Sequence, residues 1–473
     1  MTDKKKKIRL GVALIPVLFL IVALSLTIGV FKLQPHIPLI LAAAVAAIVA
    51  TIYKHPWTEI LDGMVHGITL AMSALLILII VGTMIGTWIS GGIVPAMIYY
   101  GLKVLSPGIF LVATLLICSI VSLGTGSSWS TAGTVGVALI GVGQGLSIPV
   151  PMVAGAIISG AYFGDKMSPL SDTTNLAPAV AGTDLFSHIR HMVYTTTPGY
   201  IIAIVLYGII GTRFSGGVLD MQGVETIVAT IKQHFFIHPV MLLPPLLVIV
   251  MVIKKIPPLP ALLGGTILGG IFALLTQGQS LKDVIQVAQS GYVSETGVQM
   301  VDDLLSRGGL ESMMQTVALI ICALSFGGIM ERTGMLEVLA KSLLKRVKRT
   351  GSLVATTIFS CIAMNAIASD QYIAIVVPGR MYKKAFDERK LHPKNLSRCL
   401  EDSGTLSSPL IPWNSCGAFM GATLGINPLL YLPYAFLNLT NPLVSLFYGY
   451  TGITMEKIED DEVDKKEIQE KGK

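Results

Sequence analysis

Long stretches of this chain contain no charged residue at all, and this restricts its folding more than any other feature. The longest covers residues 104–164, and similar stretches cover residues 10–31, 68–100 and 404–455. Each is long enough to hold a span of about 20 apolar residues. Only 13% of the residues are charged and 52% are hydrophobic, whereas soluble domains are about a quarter charged. The sequence therefore predicts an all-α polytopic membrane protein.

The net charge of +6 does not indicate a nucleic-acid-binding protein, because the basic residues lie beside apolar segments. Clusters occur at residues 4–9, at 345–349 and within 380–398. Such clusters are typical of cytoplasmic loops, which can contact anionic lipids. We expect a multi-pass membrane protein with a cytoplasmic N-terminus. The first apolar segment is too long for a signal peptide and lacks a cleavage site.

Two short patterns recur at nearly the same spacing. Gly86 and Gly92 in the first half match Gly328 and Gly334, 242 residues later, and a Gly-x-x-x-Ser-Pro-Leu pattern at 164–170 returns at 404–410. Transporter repeats often pair broken helices near the bilayer midplane. We therefore predict two repeats with broken or re-entrant helices that meet there, and an odd number of spans between equivalent elements would make them inverted repeats. The predicted divisions are a cytoplasmic tail 1–9, a first repeat 10–213, a linker 214–237, a second repeat 238–452 and a charged tail 453–473.

Four polar segments interrupt the apolar sequence, at residues 122–134, 164–174, 365–370 and 401–415. Charged groups at membrane depth are costly and usually functional. Broken backbone at that depth is tolerated only inside protein or beside a watery cavity. We therefore interpret the four segments as the walls of one ion site.

The first-half segments offer oxygen ligands of the kind that Na⁺ binds. Gly124 and Gly126 allow backbone carbonyls to be exposed, and Pro169 breaks its helix. The candidate ligands are Ser127, Ser128, Asp165, Asp172, Thr173 and Asn175. Two alternatives stay open: close helix packing by the Ser/Gly-rich segment, and a salt bridge between Asp165 and Lys166.

The second-half segments supply a similar set. Its candidate ligands are Asn365, Asp370, Asp402, Thr405, Ser408 and Asn414. Glu401 is interpreted as a boundary residue, and Asp370 could alternatively pair with a basic residue of a cytoplasmic loop. A carboxyl group in a low-dielectric site holds its proton more readily than in water. Competition between H⁺ and Na⁺ for such a group is a simple basis for exchange.

The sequence gives no sign of enzymatic chemistry. It has no GxxxxGK[ST] phosphate loop, no nucleophile elbow and no spacing of His and Cys that would suit a metal. Its five cysteines are scattered and are interpreted as small apolar fillers. We expect no enzyme and no cofactor, with Na⁺ and H⁺ as transported ions.

The run GDKMSPLSDTTNLA at 164–177 resembles the signature of NhaC-type Na⁺/H⁺ antiporters, as do the segments GTGSSW at 124–129 and EDSGT at 401–405. The resemblance extends over nearly the whole length. It implies a secondary transporter of the bacterial cell inner (plasma) membrane that belongs to the inverted-repeat group. Such a protein exports Na⁺ against imported H⁺ by alternating access. The resemblance leaves open a transporter of malate, lactate or an amino acid that is coupled to Na⁺ or H⁺. A passive channel and a homodimer also stay open.

Overall fold

The protein is described by a computed structural model that covers residues 8–31, 33–215, 221–254, 256–344, 347 and 349–458. Within these ranges the regular structure is helical, and the single extended pairing is an isolated bridge between Leu391 and Lys457. The predicted all-α class is confirmed. Residues 1–7 and 459–473, which form most of the two predicted tails, lie outside the described residues.

The first half of the chain, up to residue 215, forms the following α-helices: α1 (Leu10–Leu24), α2 (His36–Ile52), α3 (Trp57–Leu70), α4 (Met72–Ser90), α5 (Ile93–Val104), α6 (Pro107–Thr125), α7 (Ser128–Thr131), α8 (Val137–Gly145), α9 (Val150–Met167), α10 (Asp172–Ala181) and α11 (Leu185–Ser215). Two π-helical segments, Ser25–Val30 and Ala132–Gly136, continue α1 and α7.

The remaining chain forms these α-helices: α12 (Met221–His234), α13 (Leu243–Ile253), α14 (Pro258–Thr276), α15 (Leu281–Ser290), α16 (Gln299–Leu305), α17 (Leu310–Arg332), α18 (Met335–Leu344), α19 (Thr350–Ile367), α20 (Gln371–Asp387), α21 (Pro393–Leu400), α22 (Ser415–Leu424), α23 (Pro428–Tyr431) and α24 (Phe436–Thr451). A π-helical segment, Glu401–Thr405, extends α21, and short 3₁₀ turns cover Pro239–Leu242, Ser408–Leu410 and Leu432–Tyr434.

Seven helices in the described ranges are long and apolar enough to cross a membrane. They are Leu10–Val30, Met72–Ser90, Pro107–Thr125, Leu185–Phe214, Pro258–Thr276, Leu310–Arg332 and Thr350–Ile367. An eighth span results if the pair Val224–His234 and Pro239–Ile253, bent by 98°, is counted as one. The chain is a multi-pass membrane protein. The predicted linker 214–237 contains α12, and its residues 216–220 lie outside the described ones.

Backbone conformation recurs between the two halves at the predicted spacing. Left-handed residues precede α5 and α18 at Gly92 and Gly334, and they end α10 and α22 at Gly182 and Gly425. The breaks before α7 and α20 likewise contain left-handed residues, Gly126 and Ser369. These correspondences support an internal repeat. The inverted relation of the halves and the domain boundaries stay predictions.

Glycines let α6 and α9 approach closely near the first broken region. A Cβ atom at Gly164 would collide with backbone atoms of Ser122 and Leu123, and one at Gly160 would collide with the backbone of Leu115. Small residues allow this kind of contact between membrane helices, where packing rather than the hydrophobic effect drives association. The contact holds the end of α9, which carries Asp165, against the end of α6.

The segment 452–458, which follows α24, is attached to α21. Lys394 forms an ion pair with Glu456, and Arg398 donates to the hydroxyl of Thr454 at 2.8 Å. The Asn395 side-chain amide donates to the backbone carbonyl of Glu456 at 2.7 Å. The segment 452–458 is therefore fastened to the same helix that continues into Glu401–Thr405.

We predict that Gly164→Ala lowers stability, because the added methyl group overpacks the contact between α6 and α9. Overpacking of this kind costs about 1–3 kcal/mol. The measurement is the thermal unfolding midpoint of the purified protein in detergent, followed by tryptophan fluorescence. The matched control is Gly11→Ala, which has open space around its new methyl group. Equal midpoints for the two variants would contradict the packing role of Gly164.

Candidate functional site

The broken helices converge on one cavity of about 380 Å³. Both halves contribute to it: the ends of α6, α9 and α13, the starts of α4, α7, α10, α20 and α22, and the turn before α14. Its lining residues are Ala71, Ser73, Ala74, Ile77, Thr125, Gly126, Ser127, Ser128, Trp129, Asp165, Leu170, Asp172, Thr173, Val252, Ile256, Pro257, Pro258, Asp370, Gln371, Tyr372 and Ser415. We call it the carboxylate cavity, because three aspartates lie in its wall.

Local sequence explains why the helices stop here. Gly126 has φ of 67°, a left-handed conformation that ends α6 at no steric cost. Ser127 then caps α7, with its side chain accepting from the backbone N–H of Ser130 at 3.2 Å. Pro169 prevents α9 from continuing, since it lacks a backbone N–H. The chain restarts as a helix at Asp172.

Asp165 joins the two first-half breaks. Its two carboxylate oxygens accept from the hydroxyls of Ser128 and Ser171, each at 2.6 Å. The residue is 6% exposed and lies in the cavity wall. Ser128 starts α7, and Ser171 immediately precedes α10. The carboxylate therefore holds two helix starts together and presents acceptor oxygens at the cavity.

Asp172 contributes a second, more open carboxylate. Its side chain is exposed, and the hydroxyl of Tyr372 lies 3.5 Å from its Oδ2 atom. Tyr372 belongs to α20, so this contact connects the first half of the chain to the second. Within the described residues, the Tyr372 hydroxyl is the one hydrogen-bond partner of this carboxylate, which leaves its oxygens accessible from the cavity.

Asp370 supplies the third carboxylate from the second half. It is 1% exposed, and its Oδ1 atom accepts from the backbone N–H groups of Tyr372 at 2.9 Å and Ile373 at 3.1 Å. This is an N-cap, which favours a negative charge at the helix start. Ser369 before it has φ of 60°, and its carbonyl accepts from the N–H of Ser415 at 2.9 Å. The break before α20 is thereby tied to the break before α22.

The predicted ligands divide into two groups by position. The cavity wall contains Ser127, Ser128, Asp165, Asp172, Thr173 and Asp370. The others lie outside its lining: Asn175, Asn365, Asp402, Thr405, Ser408 and Asn414. The roles of both groups in ion binding stay predictions. The alternative partner for Asp370 was a basic residue of a loop, but among the described residues its carboxylate accepts from backbone N–H groups at the start of α20.

Asn365 and Asn414 lie outside the cavity lining and stabilise the second-half breaks through hydrogen bonds. The Asn365 amide donates to the carbonyl of Gly404 at 2.6 Å and to the hydroxyl of Ser407 at 2.9 Å. Asn414 donates to the Asn365 side-chain oxygen at 3.0 Å, and its own oxygen accepts from the N–H of Cys416. These bonds satisfy backbone groups that the broken helices leave free, which membrane-buried backbone requires.

Lys166 and Asp402 form a fully buried ion pair across the two halves. The hydroxyl of Thr195 donates to the Oδ1 atom of Asp402 at 3.0 Å, and the Asn441 amide lies beside it. The sequence offered Asp165 as the partner of Lys166, but the lysine lies against Asp402 instead. Since the carboxylate meets the ammonium group directly, the pair is a neutral unit next to the cavity.

Glu401 is a residue that the sequence analysis placed at a boundary and the structure places in the interior. It is 0% exposed, and neither carboxylate oxygen has a hydrogen-bond partner within the described ranges. The hydroxyls of Thr173 and Thr405 lie beside its carboxyl group, and the charges of Asp165 and Lys166 act on it. The sequence signal for the interior position of Glu401 was its four-residue spacing to Thr405, because residues i and i+4 share a helix face.

Comparison with known proteins gives strong similarities over most of the chain. The sequence profile described as "Na+/H+ antiporter family" matches residues 160–453. The Na⁺/H⁺ antiporter NhaC of Alkalihalophilus pseudofirmus is 39% identical over 96% of this chain and 98% of that protein. The malate-2H⁺/Na⁺-lactate antiporter of Bacillus subtilis is 38% identical over 93% and 94% of the two chains. The arginine/ornithine antiporter ArcD of Halobacterium salinarum is 37% identical over 96% and 94%.

Among solved structures, Neisseria gonorrhoeae MtrF aligns over 92% of this chain and 94% of its own, with 13% identity and a TM-score of 0.41. The Alcanivorax borkumensis YdaH transporter aligns over 94% and 99%, with 12% identity and a TM-score of 0.38.

We predict that the Lys166–Asp402 pair stabilises the fold only as a pair. Lys166→Met should destabilise the protein by about 3–5 kcal/mol, because an unpaired buried carboxylate remains, and Asp402→Leu should act similarly. The double variant should recover most of the loss, since no buried charge is left. Thermal unfolding of the four proteins in detergent tests this double-mutant cycle. Additive losses in the double variant would show that the two side chains act independently.

Proposed function

Because the chain belongs to the Na⁺/H⁺ antiporter family, we propose that it exchanges Na⁺ for H⁺ across the bacterial plasma membrane by alternating access. The observation that carries the proposal is the carboxylate cavity, in which Asp165 and Asp172 from one half meet Asp370 from the other. A cavity built from both halves of the chain can change its access when the halves move relative to each other. The N-terminus is proposed to be cytoplasmic.

The cavity offers the ligands that a Na⁺ ion needs. The carboxylates of Asp165, Asp172 and Asp370 supply charge, and the hydroxyls of Ser127, Ser128 and Thr173 supply neutral oxygens. We propose that Asp172 is the principal competing group, because its carboxylate is open to the cavity. A bound Na⁺ favours its ionised form, and the proton is released. H⁺ and Na⁺ therefore exclude each other at this carboxylate.

We propose Glu401 as a second proton carrier that does not itself meet Na⁺. An ionised carboxylate is very costly in a dry interior, so the fully buried side chain is expected to be neutral in this conformation. Asp165 and Lys166, whose charges act on Glu401, connect it to both the cavity and the buried ion pair. A change in access that brings water to Glu401 would let it exchange its proton.

The alternative function is coupled transport of malate, lactate or an amino acid. It is favoured by the relatives whose names include malate, lactate, arginine and ornithine. In the carboxylate cavity itself, the lining within the described residues contains three acids and no lysine or arginine. Since Lys166 is paired with Asp402, a cation suits this cavity better than an organic anion. We therefore propose Na⁺ and H⁺ as its cargo. We propose neither an enzymatic activity nor a cofactor, and a homodimer stays a possibility from the sequence.

We predict that Asp172→Asn slows Na⁺/H⁺ exchange at least about tenfold, because hydrogen bonds and contacts with charged groups contribute about 1.5–3 kcal/mol. The measurement is the Na⁺-induced dissipation of an imposed pH gradient in proteoliposomes that contain the purified protein. The matched control is Asp283→Asn, which alters an exposed carboxylate in the helix cap of α15. Exchange at the wild-type rate in Asp172→Asn, at equal protein content, would refute the role of Asp172.

We predict that Glu401→Gln uncouples the ions. The variant should keep exchange of ²²Na⁺ against unlabelled Na⁺, because the carboxylate cavity is intact, while Na⁺-induced dissipation of the pH gradient falls at least about tenfold. Glu311→Gln, which alters an exposed glutamate, serves as the control and should keep both reactions. Unchanged dissipation in Glu401→Gln would exclude this residue as a proton carrier.

A further inference from the structure

A second cavity of about 430 Å³ lies near the end of α22, away from the three aspartates. It is enclosed by α4, the end of α15, the turn before α17 and the end of α22. Its polar wall includes Tyr292, Arg307, Ser312 and Thr423, and its apolar wall includes Ile85 and Met313. The volume is within the range of about 300–1,000 Å³ that is typical of small-molecule pockets.

Arg307 gives this cavity a positive charge that the described protein does not neutralise. Its guanidinium forms no hydrogen bond or ion pair with any described residue, and the cavity lining contains no acidic side chain within the same ranges. Burial lowers the pKa of Arg307, with no contribution from a neighbouring charge. Arginine nevertheless stays protonated in proteins. A half-buried guanidinium without an anion is costly and marks a place for one.

Thr423 adds an independent sign of a missing ligand. The residue is 2% exposed, and its hydroxyl has no hydrogen-bond partner in the described part of the chain. Buried hydroxyls are normally paired. Thr423 and Arg307 line the same cavity, so one ligand with two polar groups could satisfy both.

We propose that this second cavity binds a small organic monocarboxylate, with its carboxylate on Arg307, a polar substituent at Thr423 and its carbon atoms against Ile85 and Met313. A single guanidinium matches a single carboxylate, which it binds bidentately. A second carboxylate would remain unpaired, so a dicarboxylate should bind less well. This inference does not rest on the exchange reaction proposed for the carboxylate cavity.

The position of the site relates it to transport. α22 begins at Ser415, in the wall of the carboxylate cavity, and reaches the second cavity with Ala422 and Thr423. The ten residues of α22 extend about 15 Å at 1.5 Å each. The two cavities thus lie at opposite ends of one short helix. An organic anion at one end is separated from the cation ligands at the other.

The test is equilibrium binding of ¹⁴C-labelled L-lactate to the purified full-length protein in lipid nanodiscs, in choline buffer without Na⁺. We expect saturable binding by the wild type. Arg307→Gln should weaken it at least about tenfold, Arg307→Lys should weaken it less, and Thr423→Val should weaken it about three- to tenfold. Unlabelled lactate should compete, malate should compete less well, and the neutral analogue lactamide should not compete.

Arg213→Gln is the matched control, because it removes an exposed arginine at the end of α11; its lactate binding should equal that of the wild type. Thermal unfolding midpoints identify variants that fail to fold, and Arg307→Lys keeps the test valid if Arg307→Gln is unstable. The proposal is overturned if the wild type binds no lactate, if a folded Arg307→Gln protein binds it normally, or if lactamide, malate or inorganic phosphate competes as well as lactate. Because Na⁺ is absent, failure here leaves the exchange proposal standing.

Discussion

Backbone that is broken inside a membrane must find its hydrogen bonds within the protein, and this requirement organises the molecule. Side chains cap the helices that restart at the breaks: Ser127 for α7, Asp370 for α20 and Asn414 for α22. The breaks also satisfy one another, as when the N–H of Ser415 donates to the carbonyl of Ser369. Because lipid offers no such partners, the interrupted helices gather in one place, and their polar groups form a common cavity.

The charged side chains around this cavity divide into one buried ion pair and three carboxylates in the cavity wall. Lys166 and Asp402 neutralise each other in the interior, so their net electrostatic effect on the cavity is small. The carboxylates in the wall keep different partners: hydroxyls for Asp165, backbone N–H groups for Asp370 and the distant hydroxyl of Tyr372 for Asp172. These differences allow similar groups to have different tasks, because a carboxylate with fewer protein donors keeps more of its oxygen lone pairs free for a cation.

Much of the architecture was readable from the sequence, since charge-free runs define spans and polar interruptions define breaks. Asp165, Asp172 and Asp370 were predictable because each stands in such an interruption. The partner of Lys166 was not, because the pairing joins residues far apart in the chain and depends on how α9 packs against the segment Glu401–Thr405. Glu401 was misjudged as a boundary residue because it follows a charged segment, and only the tertiary structure reveals that this turn is buried.

The span of α22 between two cavities has a thermodynamic consequence. A shift of this helix along its axis would alter both cavities at once, because Ser415 and Thr423 belong to the same short helix. Any preference of one ligand for a particular helix position would then change the affinity of the other cavity. Linkage requires that this influence be equal in both directions. The position of the short helix would in that case depend on which of the two cavities is occupied.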